Sequence, residues 1–222
     1  RAALGKSSIA DYCINPYVGC MHACIYCYAE YYTRKFSKHT EPWGSFVDVK
    51  VNLVSLLRKE VKKKAKGYVY LSSLTDAYQP IDLDLLKEMD ASVGFTIITL
   101  DQKVANIFEP KASKVKQRIE TLKLFSDNGI ETFAFIGPIL PGLDDDLEEL
   151  VKEVSFVDEI YFDKLNLKPG LLEKLTITLK EKFPSLEDLW RKIFSGKLDY
   201  YASLRARIKK LEKGKPKFVY LI

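Results

Sequence analysis

Gly19-Cys20-Met21-His22-Ala23-Cys24-Ile25-Tyr26-Cys27-Tyr28 is the stretch around which the rest of the chain is organised. Three cysteines spaced Cys-x3-Cys-x2-Cys fall within it, with tyrosines on both sides of the last. The one other cysteine, Cys13, lies upstream. Thiolates are soft ligands that select zinc, copper(I) or iron–sulfur clusters, and so tight a spacing gathers three sulfurs around one centre. Disulfide pairing would leave a thiol over, and nothing N-terminal reads as a secretion signal. Metal binding is the expected use of the loop.

A structural zinc site is closed by four ligands. Here only Cys13, His22 or His39 could supply the fourth, and otherwise His22 reads as a polar loop residue and His39 as a surface one. A four-iron cluster held by three cysteines instead keeps one iron open to an exogenous ligand. The motif Cys20-x3-Cys24-x-Tyr26-Cys27 resembles the signature of the radical S-adenosylmethionine (SAM) enzymes. The longer runs Asn15-Pro16-Tyr17-Val18-Gly19-Cys20 and Cys24-Ile25-Tyr26-Cys27-Tyr28-Ala29 resemble the "DNA repair photolyase"-like branch that contains spore photoproduct lyase.

The chain has 222 residues, 47% hydrophobic and 29% charged, which suits a globular protein with a substantial core. It starts at Arg1, so an N-terminal stretch is expected to be absent. No apolar run reaches the roughly 20 residues of a membrane span, and few cysteines gathered into one loop fit a reducing cytoplasm. A net charge of +5 permits an anionic partner without requiring one. Basic runs at 59–66 and 205–217 have the ordinary look of solvated helix faces.

Outward from the cysteine loop, alternation and turn residues predict strands over 8–15, 47–51, 68–71, 93–100, 132–136 and 159–162, with 218–222 as a closing strand. Apolar spacing predicts helices over 29–36, 53–65, 83–89, 147–154, 171–183, 185–194 and 200–211. Asp101 and Ser113 are expected to cap two more, as Asn52 caps the 53–65 helix and Gly67 ends it. Strands that alternate with helices argue for an α/β chain of βαβ units around a parallel sheet, with functional loops at the strands' C-terminal ends. Residues 1–165 carry that pattern and 166–222 read as a mostly helical extension packed on it.

The resemblance implies a partial (β/α)6 TIM-type barrel. It implies a [4Fe-4S] cluster on Cys20, Cys24 and Cys27 that binds SAM and, fed by a ferredoxin- or flavodoxin-type reductant, cleaves it to a 5′-deoxyadenosyl radical. That radical abstracts hydrogen from a substrate, for which family analogy suggests a DNA or RNA base. Tyr26 would lie near the cofactor's adenine, and Tyr28 aligns with a tyrosine near the substrate radical. The strand end Ser73, Thr75 and Asp76 would receive the methionyl amino group. In the branch this strand end carries a hydrogen-donating cysteine, where the present chain has serines. Thr99 would meet a ribose hydroxyl, and Glu109-Pro110 with Arg118 resembles a pattern in which an arginine holds the SAM carboxylate. Pro138 and Ile139, in a stiff apolar loop, would cover the adenine. The same resemblance implies that one βα unit is absent between Ile81 and Asp82. A reading of a different class is a non-catalytic metal module, either a Cys3His zinc site or an electron-carrying cluster.

Overall fold

The computed structural model describes residues 3–7, 10–65, 67–74 and 92–222. Two compact units emerge, Arg1–Pro80 and Ile81–Ile222.

The first unit contains β1 (Gly5–Lys6), β2 (Tyr12–Ile14), β3 (Tyr17–Gly19), α1 (Tyr28–Phe36), β4 (Val47–Val49), α2 (Leu53–Glu60) and β5 (Val69–Leu71). A small sheet runs β1-β2-β5, with β1 antiparallel and β5 parallel to β2. β3 and β4 pair as an antiparallel ribbon, so the parallel-only expectation does not hold here. Strand β3 escaped the sequence reading because it is three residues long and squeezed between Pro16 and the cysteine loop. Asn52 stands at the head of α2 without a side-chain capping bond, and α2 ends at Glu60, short of the 53–65 reading and of Gly67. Gly67 serves elsewhere: a Cβ there would lie 2.8 Å from Asp11 Oδ2, and that carboxylate accepts the Tyr68 amide.

The second unit is built on β6 (Ser92–Thr96), β7 (Glu131–Ile139), β8 (Glu159–Lys164) and β9 (Lys217–Leu221), all parallel and in that order. Between them run α3 (Gln102–Phe108), α4 (Val115–Asp127), α5 (Leu147–Glu153), α6 (Leu171–Lys182), α7 (Glu187–Phe194) and α8 (Tyr200–Lys209). Alternation in β7 sorts the sheet's two faces: Thr132, Ala134 and Ile136 are buried, and Phe133 and Phe135 are half-buried. The buried face joins Ile160, Phe162 and Phe218 in a core closed by Leu122 and Phe125 of α4, Leu150 of α5 and Ile208 of α8. Asp101 caps α3 as its sequence predicts, accepting the Lys103 and Val104 amides at 2.7 and 3.3 Å. Ser113 does not cap α4; Lys114 takes that place, its amide bonded to Gln117 Oε1. β7 runs three residues past 136, through Gly137 and Pro138 to Ile139, with a register shift against β8 between Ile136 and Ile139.

The Ile81–Asp82 junction and the 83–89 helix lie outside the described residues. Among the described residues β5 pairs only with β2 and β6 only with β7, so each leaves one edge unpaired. No helix among them is long and apolar enough to cross a membrane.

Candidate functional site

The cysteine loop leaves β3 through Gly19, whose φ of +91° only glycine adopts readily. A Cβ at Gly19 would come within 2.4 Å of the Phe46 carbonyl oxygen and 2.7 Å of its ring. Inside the loop Ala23 also holds a left-handed φ of 56°, and a Cβ at Gly44 would meet the Ala23 Cβ at 2.3 Å. The loop is therefore pressed onto the 43–46 segment at two points where no methyl group fits. That segment is braced in turn: His39 stacks on Phe46 at 4.0 Å, its ring nitrogens 3.0 Å from Glu41 and 2.8 Å from Asp48. The hydrogen bond to Asp48 above all, and that to Glu41 after it, hold the His39 pKa above its ordinary value. His39 is thus a strut beneath the loop, a role its sequence context did not reveal.

Cys20, Cys24 and Cys27 are not in disulfides, and each is half-buried. The Cys27 amide donates to the Cys24 carbonyl at 3.2 Å, and Cys27 stands at the N-terminus of α1. Neighbouring atoms enclose its sulfur so closely that burial pushes the thiol up to about 12. The charge of nearby Cys20 adds to this, and the Ala29 and Glu30 amides oppose it. Among the described residues no group of three or more His, Cys, Asp or Glu side chains is gathered to hold a single metal ion. Cys13 lies apart, on β2, its thiol donating to the Lys6 carbonyl.

Tyr26 is half-buried in the loop. Tyr28, more exposed, reaches from the start of α1 to the end of β5, where its hydroxyl donates to the Ser73 carbonyl at 2.6 Å. Asn15 binds the same strand end from β2's side: its amide nitrogen donates to Ser73 Oγ at 3.1 Å and its oxygen accepts the Leu74 amide at 2.7 Å. Ser72 takes a φ of 68° there, its amide bonded to the Ile14 carbonyl. Asn15 was not singled out in the sequence, although it opens the Asn-Pro run that leads into the loop. Thr75 and Asp76 lie outside the described residues.

The remaining sequence candidates belong to the second unit. Thr99 is buried, and its hydroxyl donates to Asp146 at 2.7 Å; the same carboxylate accepts the Leu100 amide. Glu109 and Arg118 are brought together as a buried ion pair at 2.6 Å. Arg118 also donates to the Thr96 carbonyl at 2.7 Å, and its buried Nε has no hydrogen-bond partner. Ile139 packs into the core, and Pro138 before it is half-buried. The loop beyond is tied down by Trp190 on the Pro141 carbonyl, Tyr201 on the Ile139 carbonyl and Tyr200 on Asp144. Asp163, at the end of β8, is a further group the sequence reading passed over: burial pushes its carboxyl up to about 6. An acid closing an otherwise apolar alternation was the available signal.

No family model matches the chain. In fold it is similar to spore photoproduct lyase, in a double mutant with bound AdoMet and dinucleoside spore photoproduct and in a single mutant with dinucleoside spore photoproduct. Both comparisons give a TM-score of 0.57 at 17% identity, over 79% and 81% of this chain. The chain spans 63% and 62% of those two proteins' lengths. An uncharacterized protein of Acidianus two-tailed virus is 27% identical over 90% of this chain and 83% of its own length. An uncharacterized protein of Methanocaldococcus jannaschii is 35% identical over 72% of each chain, and the present chain belongs to the same family as that archaeal protein.

Proposed function

We propose that this protein is a radical SAM enzyme whose [4Fe-4S] cluster is held by Cys20, Cys24 and Cys27. The observation that carries the reading is the Cys20-x3-Cys24-x-Tyr26-Cys27 loop on a chain similar in fold to spore photoproduct lyase. The donor set suits such a cluster. A thiol that burial holds protonated to about 12 is released by bonding to a cationic iron. A cubane takes its thiolates one to an iron, so it does not ask three sulfurs to meet on one ion as a zinc site does. When bound, the cluster and SAM would supply an electron and a hydrogen-abstracting radical.

The chain's own residues bind, orient and exclude water. Cys20, Cys24 and Cys27 hold the metal, and the two methyl-free contacts at Gly19 and Gly44 fix the loop that carries them. Tyr26 shields the centre from solvent. Tyr28 and Asn15 set the end of β5, from which Ser73, Thr75 and Asp76 would accept the cofactor's amino group. Thr99 would meet the cofactor's ribose and Arg118, beside Glu109, its carboxylate, as the resemblance implies; Thr99 also bonds Asp146 and Arg118 pairs with Glu109, with the buried Arg118 Nε left without a partner. Pro138 and Ile139 hold the backbone beside the adenine. The whole would be a partial (β/α)6 barrel, with the helices after residue 166 packed on it and β9 returning to its sheet, in a cytoplasmic enzyme served by a ferredoxin- or flavodoxin-type reductant. A nucleic-acid base is the substrate that the resemblance suggests.

Anaerobic reconstitution with iron and sulfide, followed by dithionite and SAM, tests the reading. The expected product is 5′-deoxyadenosine, lost in Cys24→Ala. One bound zinc per chain with no SAM cleavage would establish the non-catalytic alternative.

A further inference from the structure

The face of the second unit's sheet that looks away from the core helices is neither bare nor ordinary. Alternation puts Phe133 and Phe135 of β7 and Tyr161 and Asp163 of β8 on it, in register as Phe135 beside Tyr161. Phe133 meets Tyr161 edge-on at 5.3 Å, and Phe135 lies nearly parallel to Tyr161, 17° apart. The rings have this room because glycines oppose them. A Cβ at Gly94 would come within 2.2 Å of the Phe133 ring, and one at Gly137 would come 2.8 Å from both Phe135 Cε1 and Asp163 Cβ. Gly137 thus marks where the last ring and the carboxyl converge, at the C-terminal ends of β7 and β8. Parallel sheets present their ligand-binding groups at those ends.

Asp163 is poorly compensated there. Burial is the leading influence on it, and only the amide and charge of its neighbour Lys164 act the other way. Among the described residues, the groups facing it from other elements offer no cation: Phe135 and Gly137 come from β7, Leu221 is its partner on β9, and Tyr201 of α8 feels its charge. A half-buried carboxylate whose cationic neighbour is the adjacent, exposed Lys164, set beside aromatic rings, is an arrangement that can recognise an organic cation. The carboxylate supplies a charge-assisted hydrogen bond, and the ring faces supply cation–π attraction.

We propose that Asp163, with Phe135 and Tyr161, forms a binding subsite for a planar organic cation of the amidinium or protonated-aminoheterocycle class, carried by the substrate. The proposal rests on the reading of the chain as an enzyme with a bound substrate. SAM cleavage by the unaltered protein, scored without any added cation, tests that reading by itself.

The probe is benzamidine, a planar aromatic amidinium, titrated calorimetrically into the reconstituted full chain, with neutral benzamide as control. Benzamidine is expected to bind at least about tenfold more tightly than benzamide, the size of one charge-assisted hydrogen bond. Binding should weaken from pH 8 to pH 5, as Asp163 takes up its proton, and by about tenfold in Asp163→Asn. Phe135→Leu should weaken it while leaving the pH dependence in place, which keeps the proposal testable should Asp163→Asn fail to fold. Equal affinity for benzamide, or affinity unchanged in Asp163→Asn, would overturn it.

Discussion

The hydroxyl of Tyr28, the residue directly after the last loop cysteine, donates a 2.6 Å hydrogen bond to the carbonyl of Ser73 at the end of β5. The cysteine loop and the neighbouring strand end are therefore one mechanical piece. Tyr28→Phe keeps the ring and removes the bond. It should destabilise the protein by about 1 kcal/mol, read as a lowered urea midpoint with an unchanged slope. Iron content after reconstitution should stay at the unaltered level, because no ligand has been touched. An unchanged midpoint would mean that the bond contributes nothing in solution.

Cys13 is not expected to be a metal ligand. It sits in β2 opposite Gly5 and Tyr70, its thiol satisfied by the Lys6 carbonyl. Cys13→Ala should take up iron and sulfide as the unaltered chain does, whereas Cys24→Ala should not. Iron loss in Cys13→Ala alone would reverse the assignment.

The Glu109–Arg118 pair offers a sharper energetic test. Both side chains are almost fully buried, so removing one leaves a charge without its partner. Glu109→Gln should destabilise by about 3–5 kcal/mol, as breaking a buried pair commonly does. Replacing both, Glu109→Leu with Arg118→Met, should restore most of that loss. A single substitution without effect on thermal unfolding would show the pair to be solvated.

How much of this was legible in the sequence differs from residue to residue. The alternation of Thr132, Ala134 and Ile136 announced β7 and its buried face, because burial on a strand repeats every second residue. The cysteine spacing likewise singled out its own loop. Thr99 and Arg118 looked like groups awaiting a ligand. Each also bonds a carboxylate, Asp146 lying 47 residues away and Glu109 nine residues back in the chain. Such pairings leave no periodic trace, and neither does the strut that His39 forms beneath Phe46.

His39 allows a prediction about pH. Its folded pKa is raised by Asp48 and Glu41, so its contribution is fully present below about 6.5, the unfolded value, and fades as pH rises through the folded one. Glu41 is lowered, its own Glu41 amide being the leading cause, so its share is lost in the opposite direction, as pH falls through its folded value. An NMR titration should place His39 above 6.5 in the unaltered protein and nearer to it in Asp48→Asn. An identical midpoint in both would refute the strut.

Among the described residues β5 and β6 each leave one edge unpaired. A βα unit omitted between Ile81 and Asp82, as the resemblance implies, would supply a partner strand for such an edge. Peptide mapping of the protein from its natural source should find no tryptic fragment in which Ile81 is bonded to Asp82. A fragment running unbroken from Gln79 to Lys87 would show that the chain is continuous.

The close approach of Gly44 to Ala23 and of Gly19 to Phe46 has a consequence for anyone wishing to transplant this cysteine loop. Eight residues from Cys20 to Cys27 do not carry their own shape, since Ala23 is held in a left-handed backbone conformation that side-chain-bearing residues disfavour. A miniature built from those residues would relax and lose its spacing of sulfurs. A minimal portable version has to run from Tyr17 to Val49, so that the cysteines travel with the mould that shapes them.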